Sequence, residues 1–448
     1  MDLPVWLYWE GEKPDWIKMC HYTVFNHASN AKLISPQEFE TLRTTDTDID
    51  LSGLCVAHRA DFIRSFLLAK FGGIWIDADC LVMKSLLPLF ELLAKYDFIG
   101  YRERSGFITN NFMGAPANSR IAMAYFQNIC DILRSGQHIE WLTLGSHALT
   151  STINTLGIEW YELATALIQP VCWSDPKEFF IKRDNKGHEE VLNKNSFCYM
   201  LSANMVNGFM KENPSESLLH DKSFFNFLCK KSKRNSILSK IRYRKNTDDD
   251  NWVIPEVIEK DMYRIQDELS LLTPQTTGYI IDCGAHIGAF SIMCSCYFPN
   301  MQVISFEPNP DSFQYLSENS KLFGKITAIN KAVDTKEGFL NLFEPAQDEW
   351  TGRWSTIPNS NKYVSVESVD IFSYINSLSE PVFILKFDIE GYEEFILNNS
   401  KEEDLARIKI LIVETHGDSF DHDKLASYGF KLLFRPEISS DRQFVYTR

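Results

Sequence analysis

Tyr279 to Pro310 reads YIIDCGAHIGAFSIMCSCYFPNMQVISFEPNP, and this stretch decides the fold of the second half of the chain. Tyr279–Cys283 is an apolar run that enters the turn Gly284-Ala285-His286-Ile287-Gly288, and a helical stretch follows from Ala289 to Tyr297. Met301–Phe306 is a second apolar run, closed by Glu307-Pro308-Asn309-Pro310. Short apolar runs bounded by turn signals read as buried strands. The unit is therefore strand, glycine turn, helix, strand, with an acid at the end of the second strand. Glycine lets the turn backbone approach a ligand closely, and the acid can accept hydrogen bonds from ribose hydroxyls. A dinucleotide fingerprint would read G-x-G-x-x-G. Here Gly284 and Gly288 stand in a G-x-x-x-G spacing with Asp282 two residues ahead, so no tight pyrophosphate turn is encoded. S-adenosylmethionine (SAM), which has no phosphate and carries an amino-acid tail, fits this pattern better. The candidate cofactor residues are Asp282, Gly284, Ala285, His286, Gly288, Glu307 and Asn309.

Downstream, Val382–Glu394 reads VFILKFDIEGYEE, and Ile408–Glu414 reads IKILIVE before Thr415-His416-Gly417. Ligands in open α/β sheets sit beyond the carboxyl ends of the strands, so these two strand ends should share a rim. Asp388 and His416 are the candidate catalytic bases there, with Lys386, Glu390 and Glu414 as candidate substrate contacts. Together the strings D-x-G-A-x-x-G, F-E-P-N-P, K-x-D-x-E-G-x-E and the late Glu414 resemble FkbM-type methyltransferases, in that family's order, from about residue 250 to 448. His286 departs from the Asn usual in relatives. The resemblance implies a class I Rossmann-like fold, SAM as cofactor, and methyl transfer to a hydroxyl oxygen, often of a sugar. Such a displacement needs positioning and a base for the hydroxyl proton.

Leu54 to Lys84, LCVAHRADFIRSFLLAKFGGIWIDADCLVMK, organises the first half. Phe62, Phe66, Leu67 and Ala69 recur at helical spacing, and Asp61 and Arg64 project from one side of that helix. Gly72-Gly73 ends it, and Ile74-Trp75-Ile76 is a short strand delivering Asp77-Ala78-Asp79. In a strand, alternate residues point the same way, so both carboxylates should face one cavity. Two carboxylates converging without a nearby base are costly to hold without a cation. Carboxylate oxygens suit Mg2+ or Mn2+, and such an ion would bridge the diphosphate of a sugar nucleotide.

This string resembles the DXD-containing sugar-binding region of retaining GT-A glycosyltransferases, especially the capsular polysaccharide synthesis type. The opening Trp6-Leu7-Tyr8-Trp9-Glu10-Gly11 with Pro14 is similar to that family's first strand and donor loop, and the likeness runs over roughly the first 215 residues. It implies that Asp77 and Asp79 engage metal and donor catalytically, and that Asp61 and Arg64 hold donor sugar and diphosphate. By the same likeness Trp9 lies near the base, and Asn110-Asn111 and Gly145-Ser146 belong to acceptor-side loops, with Asn111 a substrate contact. Leu201-Ser202-Ala203-Asn204 keeps only the Asn of the family's late metal-shell segment, which makes Asn204 the candidate third metal ligand. Trp75 reads as core, and His58 as a packed or capping histidine.

The chain has 448 residues and a formal charge of -15, which argues against nucleic-acid partners. Its ten cysteines show no metal-site spacing, no leader or membrane span is read, and a cytoplasmic enzyme is expected. Lys230–Lys245 (KKSKRNSILSKIRYRK) carries eight basic residues and no acid, so it is a solvated helix face or a peripheral contact at the inner face of an anionic membrane. The expected layout is α/β throughout: a GT-A domain over 1–231, a linker over 232–250, and a methyltransferase domain over 251–448. The expected enzyme is bifunctional and builds a surface polysaccharide (capsule or O-antigen). It would pass a sugar from a UDP- or GDP-sugar to an oligosaccharide or lipid-linked acceptor and O-methylate a sugar hydroxyl. The rival reading is an O-methyltransferase whose N-terminal half is a non-catalytic glycan-binding module.

Overall fold

The computed structural model describes residues 3–43, 49–212, 221–266, 269, 277–345, 354–356, 358, 361–416, 419–435 and 442–448. The chain divides into two compact units, residues 1–236 and 237–448.

Unit 1 is built on a six-stranded mixed sheet whose spatial order is Ala31–Ile34, Val5–Tyr8, Gly73–Ile76, Phe112–Ala115, Ile99–Tyr101 and Tyr161–Leu163. The first three strands run parallel and Phe112–Ala115 returns antiparallel. Val5–Tyr8, Gly73–Ile76 and Phe112–Ala115 are buried at every position, because helices cover both faces; such strands read as continuous apolar runs. Helix Val56–Phe71 packs Phe62, Phe66 and Leu67 into the core and stops at Gly72, whose φ is +67°. A Cβ on Gly72 would stand 2.5 Å from Ala117 N, and one on Gly73 2.2 Å from Pro4 O, so the pair is demanded by close backbone approach. Strand Gly73–Ile76 ends before the two acids. Asp77 and Asp79 lie in the turn leading to Cys80–Val82, not on a strand, so their placement does not come from strand alternation.

Helix Phe224–Lys240 runs through most of the basic stretch. Ser232 and Arg234 are buried, Lys231 pairs with Glu189 at 2.8 Å, and Lys233 lies over the Tyr22 ring. Residues 241–250, expected as linker, are packed within unit 2. Ile241 is in its core, Asn319 takes the Arg242 backbone on both sides, and Arg244 pairs with the fully buried Asp250 at 2.7 Å. Within the run, Lys231 and Arg244 therefore find acidic partners inside their units, while Lys240, Arg242 and Lys245 are exposed. No described helix is long and apolar enough to cross a membrane.

Unit 2 carries a seven-stranded sheet in the order Ile326–Ile329, Met301–Phe306, Gly278–Cys283, Val382–Phe387, Ile408–Glu414, Gln443–Thr447, Lys431–Phe434. All neighbours are parallel except around Gln443–Thr447, which is antiparallel to both of its partners. Strand order reverses between Gly278–Cys283 and Val382–Phe387, the place where open α/β sheets form a ligand crevice. A separate three-stranded sheet, Ala332–Asp334, Tyr363–Asp370 and Gly338–Phe343, is inserted before Val382.

One core residue of unit 1 sets a pH dependence. His21 is 5% exposed, and burial, helped by the charge of Lys13, lowers its pKa from 6.5 to about 4. The unfolded chain thus takes up a proton that the folded one refuses. The stability contribution is complete above pH 6.5 and is lost as pH falls toward 4. We expect urea unfolding of wild type to lose about 3 kcal/mol over that window from this group, and His21→Leu to flatten that part of the profile.

Candidate active sites

In unit 2 the glycine turn is clamped from two sides. Gly284 (φ +80°) abuts the end of the neighbouring strand so closely that a Cβ would stand 1.7 Å from Asp388 O. Gly284 and Ala285 both donate their N–H to Phe306 O at 3.0 Å. The Glu307 carboxylate accepts from His286 N at 2.7 Å and from Asn309 N at 2.8 Å, and burial raises its pKa. Asn309 caps helix Pro310–Phe323 through Asp311 N. These contacts floor a cavity of about 350 Å³.

Gly284, Ala285, His286, Glu307, Asn309, Lys386, Asp388, Glu390, Glu414 and His416 all line that cavity. Two candidate cofactor residues do not. Asp282 is fully buried, accepting from Ser291 Oγ at 2.6 Å and pairing with Lys386 Nζ at 3.3 Å, so it supports the site from behind. Gly288 starts the following helix and lies against Leu316. His286 (φ +53°) turns its ring toward Arg244 (2.6 Å) and Asp250 (3.2 Å). Against burial, hydrogen bonds from His286 and Arg244 hold Asp250 well below the usual carboxylate range.

At the rim, Lys386 Nζ lies 3.1 Å from Asp388 Oδ2. Burial works against both charges, but the ammonium lowers the pKa of Asp388 and the carboxylates raise that of Lys386. His416 Nδ1 meets Glu393 Oε1 at 2.9 Å, while Nε2 faces Glu390 Oε2 at 3.3 Å and Glu414 Oε1 at 3.8 Å. Despite burial, Glu393 and the neighbouring acids raise the His416 pKa to about 9. In this arrangement acids face both ring nitrogens of His416, which favours its protonated form. Glu414, also held by Gln443, is pushed up to about 7 by burial and Asp388.

The sequence reading missed much of the wall. Asp249, Trp252, Tyr263 and Phe290 line one side; Leu340, Leu342 and Trp354 line another. Asp249 and Trp252 lie ahead of the motif region, where an acidic triplet reads as linker. Leu340 belongs to the inserted sheet, and Leu342 sits on the same strand as the exposed Phe339. Glu393 was visible in its motif string, but its service to His416 depends on a fold contact.

In unit 1 the candidate donor residues form a closed network. Arg64 lies 3.1 Å from Asp77 Oδ1 and 3.7 Å from Asp61 Oδ1, and donates to Asn110 O at 2.6 Å. Trp75 Nε1 also donates to Asp77 Oδ1, at 2.7 Å, so this buried ring is both core and partner. Asn110 Nδ2 donates to Asp61 Oδ1 at 2.7 Å, and Gly145 packs directly on the Asn110 amide. The premise that the two acids lack a nearby base is therefore corrected: Asp77 has Arg64. Burial, opposed by Arg64 and reinforced by Asp79, still raises Asp77 to about 7. Asp79 accepts from Ala203 N, at the start of helix Ala203–Glu212, which puts the exposed Asn204 one residue from that contact. Asn111 accepts from Tyr101 OH at 2.9 Å, and its carbonyl takes Asp77 N. Trp9 packs edge-on to His21, 6.1 Å between ring centres, and donates to Glu12 O. Among the described residues, no three His, Cys, Asp or Glu of unit 1 converge as metal ligands.

Fold and sites together define an α/β chain with a methyltransferase domain. The chain belongs to the capsular polysaccharide synthesis protein family, whose model matches residues 2–245. Residues 282–436 match the methyltransferase FkbM domain, so the two are fused in one polypeptide. A hexuronic acid methyltransferase, AglP of Haloferax volcanii, is 27% identical over 194 residues, 42% of this chain and 79% of that protein. "Methyltransferase 1" of Beauveria bassiana is 25% identical over 32% of this chain and 56% of its own length. Among solved structures, the METTL16 methyltransferase domain aligns at 12% identity with a TM-score of 0.31, over 48% of this chain and 79% of that one.

The buried lysine offers a sharp test. Lys386→Met leaves Asp282 without its counter-ion in the core, which should destabilise the chain by about 3–5 kcal/mol. Adding Asp282→Asn should recover part of that loss in chemical denaturation.

Proposed function

We propose that the chain is a bifunctional enzyme of surface-polysaccharide assembly: unit 2 methylates a sugar oxygen using SAM, and unit 1 transfers a sugar from a nucleotide donor with a divalent cation. The observation that carries the first half is the convergence of Asp388, Glu390, Glu414 and His416 on one cavity above the Glu307-clamped turn. The cavity is of ligand size and mixes an apolar wall, Tyr263 and Phe290, with a buried acid. Each Glu307 oxygen accepts one backbone N–H and keeps a lone pair for a hydroxyl. These features fit SAM, with Gly284, Ala285, Glu307 and Asn309 as its holders. When bound, SAM supplies an electrophilic methyl group on a sulfonium sulfur. The protein's part is to exclude water, to orient the acceptor against Asp388, Glu390 and Glu414, and to take up the hydroxyl proton on a carboxylate. The likeness to a hexuronic acid methyltransferase supports a sugar acceptor.

For unit 1 the support is the family membership and the Asp77–Asp79 turn beside the Arg64 network. Asp77 and Asp79 would hold Mn2+ or Mg2+ with Asn204 near the shell, and the ion would neutralise the departing nucleotide diphosphate. Asp61, Arg64, Asn111 and Trp9 would then position donor and acceptor. The pairing of Asp77 with Arg64 and Trp75 favours a second reading, in which this half binds glycan without catalysis.

Two assays separate these readings. Hydrolysis of UDP- and GDP-sugars should require Mn2+ and fall at least a hundredfold in Asp77→Asn. Labelled methyl transfer from SAM to uronic-acid glycosides should fall about 10²–10⁴-fold in Asp388→Asn. Methyl transfer without any metal-dependent sugar-nucleotide turnover would leave only the glycan-binding reading for unit 1.

A further inference from the structure

Opposite the two acids of unit 1 stands a pair of asparagines that the fold uses differently. Ile76 pairs with Phe112 across antiparallel strands, so Asp77 and Asn111 face each other one step further on, with Asp77 N donating to Asn111 O at 2.9 Å. Asn110 belongs to the Arg64 network through both its carbonyl and its amide. Asn111 is half-buried, and its side chain has one partner among the described residues, the Tyr101 hydroxyl, which donates to Oδ1 at 2.9 Å. Its Nδ2 donates to no described protein group.

Tyr101 ends the neighbouring strand, is fully buried, and has a second amide within reach. Gln169, 6% exposed, places Oε1 3.2 Å from the same hydroxyl, while its Nε2 is buried without a partner. A phenol carries one hydrogen and cannot donate it to two oxygens. The oxygen and nitrogen of an amide share one outline, so the network decides which of them faces the phenol. Turning Asn111 would give the hydrogen to Gln169 and leave the buried Nε2 without an acceptor. Turning Gln169 lets Nε2 donate to the phenol oxygen, and the hydrogen goes to Asn111, the shorter of the two contacts. A buried N–H without an acceptor is rarer in folded proteins than an under-satisfied carbonyl, which selects the second arrangement.

We infer that Gln169 and Tyr101 are positioning residues: they form a directed relay, Gln169 Nε2–H to Tyr101 OH to Asn111 Oδ1, that presents Asn111 Nδ2–H as a fixed donor to an oxygen of the sugar nucleotide. Hydrogen bonds in such a chain polarise one another. A donor aimed before the ligand binds needs no reorganisation to meet it. Direction is what matters here, because the same three side chains arranged the opposite way would present Asn111 Oδ1, an acceptor, in place of a donor. The inference rests on the sugar-nucleotide reading of unit 1 and adds to it two residues that act on the ligand only through Asn111.

The test uses the full chain with Mn2+ and reads kcat/KM for hydrolysis of UDP- and GDP-sugars, below the melting temperature of every variant. Asn111→Ala removes the presented donor and should lower kcat/KM about tenfold. Tyr101→Phe breaks the relay and should do the same. Gln169→Glu makes its direction titratable, since a carboxylic acid can donate to the phenol and a carboxylate can only accept. Relative to wild type, its kcat/KM should fall about tenfold with rising pH, through an ionisation that Gln169→Met lacks. In the Asn111→Ala background neither Gln169→Glu nor Tyr101→Phe should lower kcat/KM further, because both act through Asn111. A packing role would give Gln169→Glu no such pH dependence, or losses that persist without Asn111, and either result overturns the inference. If Gln169→Glu does not fold, Tyr101→Phe in the two Asn111 backgrounds decides alone. Wild-type turnover that is indifferent to all these substitutions keeps the glycosyltransferase reading and removes the relay. Wild type that neither binds nor hydrolyses any nucleotide sugar removes both.

Discussion

The second unit depends on one ammonium group placed where water does not reach. Lys386 stands opposite Asp282 in the strand register, and Asp282 stands opposite Ser305, so three adjacent central strands are joined side chain to side chain. Ser291, from the helix above, closes the chain by donating to Asp282 and meeting Ser305 Oγ at 2.7 Å. A buried pair of charges adds little net stability over apolar packing, but removing one partner leaves an uncompensated charge. The arrangement is better understood as positional. Lys386 holds Asp388 at the sheet edge from below, and the backbone of Asp388 in turn presses on Gly284. The glycine turn at Gly284 and the carboxylate rim are thereby fixed to one another through a single side chain.

Unit 1 meets a similar demand with arginine. Arg64 comes from a helix, and its planar fork reaches two acids, Asp61 and Asp77, and two carbonyls, those of Ala60 and Asn110. A lysine ammonium could not span those directions at once. The guanidinium also lies over the Trp75 ring, 5.0 Å from its centre, and the same ring donates to Asp77. The network holds the Asp77 carboxylate in one geometry, between the Arg64 guanidinium and the Trp75 indole N–H.

Legibility in the sequence followed the range of the interaction. Gly284, Ala285 and His286 of the turn, the acid of Glu307 and the strand ends at Asp388 and Glu414 are local: strand, glycine and acid lie within a few residues, and the fold keeps them in the cavity. Asp282 looked like a cofactor ligand because it precedes the turn. Its partner Lys386 is 104 positions away, and only the sheet register shows that it faces the core. Asp249 and Asp250 looked like linker because three consecutive acids are normally solvated, yet Arg244 and His286 draw Asp250 inward. Asp77 reads as free of bases because Arg64, thirteen residues earlier, is placed beside Asp61 and toward the donor diphosphate, and only the fold turns its guanidinium onto Asp77. Charge patterns report composition, whereas burial and pairing belong to tertiary structure.

The chain's charge of -15 sets a condition on both units. Each unit gathers carboxylates along one edge: Asp77 and Asp79 in one, Asp388, Glu390 and Glu414 in the other. Lys386 and Arg64 do not cancel these fields, since each is already engaged by two protein carboxylates. Burial and a neighbouring acid instead push Asp77 and Glu414 up to about 7, so part of the repulsion is relieved by protons held on the acids themselves. A ligand at either edge therefore meets groups whose charge is set by the fold as much as by the sequence.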